Sequence, residues 1–163
     1  MRFDFLTEVY SIVFLAVAFL ECLRVWAGFT CFGMRSYEAQ QISAFAWTAM
    51  SLTLVFLLSP QLPGLHAGAF AVPLVWSLAV GDPLLGELRR SGMKPIYAAL
   101  VGAVAILGVW LACVFLLGTI WWLAVILVPI TVAAEWPTLP SIDDNATMLL
   151  IPLSFLLVLV VFL

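Results

Sequence analysis

The sequence predicts an all-α, polytopic membrane helix bundle of about six transmembrane helices in a single domain, residues 1–163. Composition is the first reason: 66% of the residues are hydrophobic and 9% charged, against roughly 45 to 50% and about 25% in an ordinary soluble domain. A mean hydropathy of +1.23, with no low-complexity tract, excludes disorder and a fibrous repeat. The third reason is spacing. A hydrocarbon core of about 30 Å needs roughly 20 apolar residues per helix, and apolar runs near that length recur along the chain.

The first span is predicted from Phe5 to Leu23. Arg2, Asp4 and Glu8 lie before or within it, and no small-residue cleavage site precedes Glu21 and Arg24, so it reads as a span rather than a secretory signal. The second runs from Ile42 to Leu58 and the third, a short one, from Leu65 to Val80. Pro95 to Leu117 and Thr119 to Ala134 form one apolar stretch long enough for two crossings. Gly118 with Thr119 is its only turn signal, which predicts a tight helical hairpin. The last span, also short, is Ala146 to Leu163.

Lys and Arg in short loops mark the cytoplasmic side. Arg24 and Arg35 fall between spans one and two, and Arg89, Arg90 and Lys94 between three and four, whereas the opposite side holds only Arg2. Both termini are therefore expected to be non-cytoplasmic. The same assignment gathers Glu38, Asp82, Glu87, Glu135, Asp143 and Asp144 beside those five cations, so eleven of the fifteen charges share one predicted cytoplasmic face. Intramembrane charge is expensive and needs a reason, so that face is the expected functional one.

Other features have plain structural readings. Trp26 and Trp136 near one face, and Trp121 and Trp122 near the other, fit interfacial aromatic belts. Ala98 with Gly102, and Ala99 with Ala103, place small residues four apart as a helix contact face. Pro73, Pro129 and Pro152 are expected to kink helices and release carbonyls. His66 reads as an interfacial histidine. Cys22, Cys31 and Cys113 form no CxxC and read as buried thiols without redox or zinc chemistry.

Two constellations carry chemistry. The first runs from Val80 to Lys94. Gly81 and Gly86 permit close backbone approach, Asp82 offers a hard oxygen to magnesium, and Arg89, Arg90 and Lys94 are phosphate donors, a composition suited to a metal-bound triphosphate. A basic loop with turn glycines accounts for the same residues. The second runs from Glu135 through Trp136, Pro137, Thr138, Leu139, Pro140, Ser141 and Ile142 to Asp143, Asp144 and Asn145. Asp143 or Asp144 can cap the last helix, yet two adjacent carboxylates and an Asn exceed what capping requires. Such a cluster suits a magnesium site or a base for a hydroxyl nucleophile beside lipid.

A Gly-Asp-Pro motif ending a span, then Gly and Arg, and later a Glu with an Asp-Asp-Asn element, a Pro and a terminal apolar helix resemble the dolichol kinase and phytol kinase family of CTP-dependent polyprenol kinases. The resemblance covers Gly81, Asp82, Pro83, Gly86, Arg89 and Arg90, then Glu135, Asp144, Asn145 and Pro152. Glu21 and Arg24 fit the family's acidic end of the first span. Gln40, Gln41 and Ala44 stand where it carries a basic pair and a His.

The resemblance implies phosphoryl transfer from CTP, or another nucleoside triphosphate, to the hydroxyl of a prenol such as phytol, with Mg2+ as cofactor. Asp82, Asp144 and Asn145 are the implied catalytic residues, and Asp82, Glu135, Asp143 and Asp144 the expected metal ligands. Gly81, Pro83, Gly86, Arg89, Arg90 and Lys94 are the expected nucleotide and phosphate contacts. The alternatives are a degenerate member serving as a membrane binding or assembly subunit, and a small transporter drawing on Glu8, Glu21 and the proline-kinked spans. No nucleic acid is expected as a partner; a membrane protein or a second copy of the chain remains open.

Overall fold

The computed structural model describes residues 5–162 except 32, 33, 35, 63, 67, 138 and 140. Arg2, Asp4, Arg35, Thr138 and Pro140 therefore lie outside the described residues. Six α-helices follow one another: α1 (Phe5–Ala27), α2 (Ala44–Leu58), α3 (Ala71–Arg90), α4 (Pro95–Leu117), α5 (Trp121–Ala134) and α6 (Asp144–Val160), with a 3-10 turn at Ser36–Gln40. Three of them, α1, α3 and α4, are long and apolar enough to cross a membrane. No strand forms among the described residues.

Helices α3 to α6 make a four-helix core. α3 packs on α4 and α6, and α5 on α4 and α6, while α2 lies against α6 and α3 and α1 lies outside α2. One apolar cluster runs through the core, from Val55 on α2 and Leu74, Leu78 and Leu85 on α3 to Trp110 on α4, Leu127 on α5 and Leu149 on α6. Helix α1 differs: Glu21 and Arg24 are its buried residues, and many of its large apolar side chains, among them Phe5, Ile12, Leu15 and Phe19, are exposed. That is the pattern of a helix whose solvent is lipid.

The α3–α4 hairpin keeps one register over its whole length. A Cβ on Gly102 would stand 2.4 Å from Leu85, and one on Gly81 would stand 2.8 Å from Ile106. Farther along, Trp110 Nε1 donates to Ser77 Oγ at 3.1 Å and Thr119 Oγ1 to the Ala69 carbonyl at 2.7 Å. The first three pairs follow one another at four-residue steps down the two antiparallel helices, and the last joins the segments just beyond their far ends. The small residues let the two helices approach, as the Ala98 and Gly102 spacing predicted, and both are buried.

The predicted turn between spans four and five is present. Gly118 adopts φ 71° and ends α4, its N–H returning to the Cys113 and Val114 carbonyls. Two expectations need correction. The third span was expected to end at Val80, with a loop from there to Lys94; instead α3 begins at Ala71 and continues to Arg90. The Gly-Asp-Pro sequence carries local breaker signals, but burial of Gly81 and Leu85 against α4 holds the helix through it. Cys22 and Cys31 are exposed rather than buried, Cys22 on the outer side of α1; Cys113 alone is buried.

Candidate functional site at the polar end of the bundle

The site is assembled where α3 ends, α5 ends and α6 begins. Arg89 stands in the last turn of α3, where a cation complements the helix dipole. A helical side chain tilts toward its own helix N-terminus, so the Arg89 guanidinium reaches back into the bundle. There it donates to Glu135 Oε1 and forms an ion pair. Glu135 caps the C-terminus of α5 and is 2% exposed, while the Arg89 side chain is 46% exposed.

Asp82 on α3 and Asp144 in the first turn of α6 lie close enough for their charges to act on Glu135 and on each other. Burial pushes the Glu135 carboxyl up to about 7. The Arg89 guanidinium pulls the other way, and the two neighbouring carboxylates reinforce the rise. Charged groups from both sequence constellations therefore meet at one place, Asp82 and Arg89 from the first and Glu135 and Asp144 from the second.

Of the two capping candidates, Asp143 is the N-cap. Its backbone is extended and Oδ1 accepts from Asn145 N at 3.1 Å; Asp144 Oδ1 accepts from the same N–H. Thr147 Oγ1 then bonds the Ala134 carbonyl at 2.8 Å, tying the start of α6 to the end of α5. The connection between them is pinned from α2 by Trp47 Nε1, which donates to the Ser141 carbonyl at 3.0 Å.

The remaining predicted residues divide. Gly81 is a buried helical residue against Ile106 and Met148, so its missing side chain serves helix packing. Gly86 has open space where a Cβ would stand. Pro83 lies inside α3 and is exposed. Arg90 pairs with exposed Glu87 at 2.9 Å, and Lys94 stands exposed at the N-cap of α4. Among the described residues, no three His, Cys, Asp or Glu side chains are gathered so as to hold a metal ion. Glu135 is engaged by Arg89, and both Asp143 and Asp144 accept from Asn145 N.

A second polar cluster was only partly visible in the sequence. Arg24 donates from Nε and Nη2 to the two oxygens of Glu21, from Nη2 to the Gln41 carbonyl and from Nη1 to the Phe29 carbonyl. Glu21 in turn accepts from Ser43 N, the N-cap residue of α2, and Glu38 accepts from Ala44 N. Arg24 and Glu21 thus clamp the α1–α2 connection onto the bundle, and every hydrogen-bonding nitrogen of Arg24 is used within the chain. Gln41 contributes its carbonyl and Ala44 its N–H, so backbone atoms hold this segment in place. Comparison of the chain with family models, curated proteins and solved structures finds no match.

Proposed function

We propose that the chain is a multi-pass membrane lipid kinase, transferring a phosphoryl group from a nucleoside triphosphate, CTP by resemblance, to the hydroxyl of a prenol. The observation that carries this reading is the meeting of Asp82, Arg89, Glu135 and Asp144 at one end of an apolar bundle. Arg24, Arg89, Arg90 and Lys94 stand toward that end, which supports its being cytoplasmic, where nucleotide is available.

Phosphoryl transfer depends mostly on positioning and charge stabilisation. Arg89, Arg90 and Lys94 would bind the phosphates, Arg89 leaving Glu135 to do so. Magnesium typically takes one or two carboxylates together with substrate phosphates; Asp82 and Asp144 would hold it, and it would neutralise phosphate charge. Asp144, exposed at the start of α6, would orient the alcohol and accept its proton, with Asn145 beside it. The prenol chain would lie along the apolar bundle surface.

The test is radiolabel transfer from CTP or ATP to phytol, geranylgeraniol and longer prenols by protein in lipid, with Asp82→Asn as control. Label in the lipid fraction that is lost in the control supports the reading; no label with any donor overturns it. The Arg89–Glu135 pair favours a second reading, a binding or assembly subunit, because the pair neutralises a phosphate donor. A nucleotide and magnesium titration of the solubilised protein separates the two, since such a subunit binds neither.

A further inference from the structure

Helix lengths place the polar end at a definite depth. α4 has 23 residues and α5 has 14, or about 34 Å against about 21 Å of rise. Only Gly118 to Ile120 separate them, so the two helices are level at the opposite end. The whole difference, about 13 Å, therefore falls at the polar end. There the first turns of α4 stand past the end of α5. Ala134 is level with Val104, nine residues into α4, and Glu135 follows it.

Exposure agrees. Residues 91–97 at the α3–α4 tip are all exposed, as expected of a segment with no helix beside it.

The other hairpin also has one long arm, and Trp47 Nε1 on α2 ties it to the α5–α6 connection through the Ser141 carbonyl. Tyr10 stacks on Phe56 with ring centroids 5.1 Å apart, and Glu21 accepts from Ser43 N, which fixes the α1–α2 register. α2 has 15 residues, about 22 Å. The end of α1 runs six residues beyond Glu21, about 9 Å past the start of α2. The Thr147–Ala134 and Trp47–Ser141 bonds bring the near ends of α2, α5 and α6 together, and two longer hairpin arms stand above them.

We propose that the polar end is a water-filled bowl sunk into the membrane. Its floor is formed by Trp136, Pro137 and Asp144, with Glu135 and Ser43 buried beneath it, and its walls by the α3–α4 tip on one side and the end of α1 on the other. The inference rests on the multi-pass reading and adds the depth of its site. With the opposite ends held at the far interface by Trp121 and Trp122, a hydrocarbon core of about 30 Å puts the floor roughly 9 Å inside the near boundary.

The outer wall fits lipid. Ile96, Tyr97, Leu100 and Val104 are exposed and apolar, while Arg90 and Lys94 stand at headgroup level, where basic side chains meet lipid phosphates. Water fills the inner side, because the ionisable groups Asp82 and Asp144 require it.

Single-cysteine variants of a protein with Cys22, Cys31 and Cys113 replaced test this in liposomes. Val104→Cys reports the outer wall at floor level, Trp136→Cys the floor, Pro137→Cys a second floor position, and Lys94→Cys the rim. Each is treated with a charged thiol reagent and, separately, carries a fluorophore quenched by lipids bearing nitroxides at set depths. The expected result is that the floor cysteines react with the charged reagent and Val104→Cys does not. Fluorophores at the floor and at Val104→Cys are quenched at one shared depth, deeper than at Lys94→Cys.

Floor and rim at equal depth, or floor cysteines closed to the charged reagent, overturn the bowl. The readout needs neither nucleotide nor prenol, so a failed kinase assay leaves it standing. If Val104→Cys shows no quenching by any lipid probe, the membrane reading itself fails.

Discussion

Gly102, where an added Cβ would meet its neighbour more closely than at any other described glycine, gives the sharpest test of the packing. Replacing Gly102 by Ala puts a methyl carbon 2.4 Å from Leu85 Cδ2, 2.9 Å from Cγ and 3.3 Å from Cδ1. Both branches and the branch point are within reach, so rotating Leu85 exchanges one clash for another. Leu85 is 1% exposed and has no room to retreat. The relief must come from parting α3 and α4, and overpacking of this kind costs about 1 to 3 kcal/mol. Lower backbone entropy in the unfolded helix returns roughly 0.5 to 1 kcal/mol of that. The expected net loss for Gly102→Ala is up to about 2.5 kcal/mol, read by denaturant titration in mixed micelles with tryptophan fluorescence. Gly108→Ala is the matched control: a Cβ there meets nothing within 4 Å, so it is expected to be neutral or slightly stabilising. Adding Leu85→Ala to Gly102→Ala should cost less than the sum of the two single changes, because the clash disappears. If Gly102→Ala is as stable as Gly108→Ala, the hairpin does not hold the approach described.

Glu135 carries a pH dependence whose sign is fixed by its raised value. The fold binds its proton more tightly than the unfolded chain, about 7 against 4.5, so this group's contribution to stability is complete below 4.5 and is lost as pH rises through about 7. Glu135→Gln should flatten that part of a melting-temperature profile between about pH 5 and about pH 8, and an unchanged slope would refute the assignment. Ser77→Ala leaves the Trp110 indole N–H buried without its acceptor, which should cost about 1 to 3 kcal/mol in the same micelle titration. Arg24→Met leaves Glu21 buried without its cation and is expected to cost about 3 to 5 kcal/mol, with the further change Glu21→Gln recovering much of the loss.

The legible parts of this fold were those governed by local rules. Gly118 was readable as a turn because an αL residue is what ends a helix tightly, and the Ala98 and Gly102 spacing because small residues four apart lie on one face. The capping of α6 was narrowed to two carboxylates, and geometry chose Asp143. What local rules missed was the continuation of α3 through Gly81, Asp82 and Pro83, since packing of Gly81 on Ile106 and of Leu85 on Gly102 across the hairpin outweighs three weak helix formers in a row.

Within the site, the four charged residues were each visible as candidates, but their pairing was not. Arg89 and Glu135 are 46 residues apart, and no periodicity links them. Trp47 is a clearer omission. It lies within the predicted second span, and its bond to Ser141, 94 residues away, has no signature in the sequence.

The Trp110–Ser77 bond also bears on how the hairpin is assembled. Helices α3 and α4 are apolar on several faces, and lipid solvates those faces about as well as a neighbouring helix does. Sliding one helix past the other by a turn, about 5.4 Å, would therefore cost little in hydrocarbon contact alone. One indole N–H opposite one hydroxyl makes such slipped arrangements unequal, because only one alignment satisfies both groups. The pair thus acts as a vernier for the hairpin and, with the close approaches at Gly81 and Gly102, sets the level of Asp82 and Arg89 along α4 from several turns away.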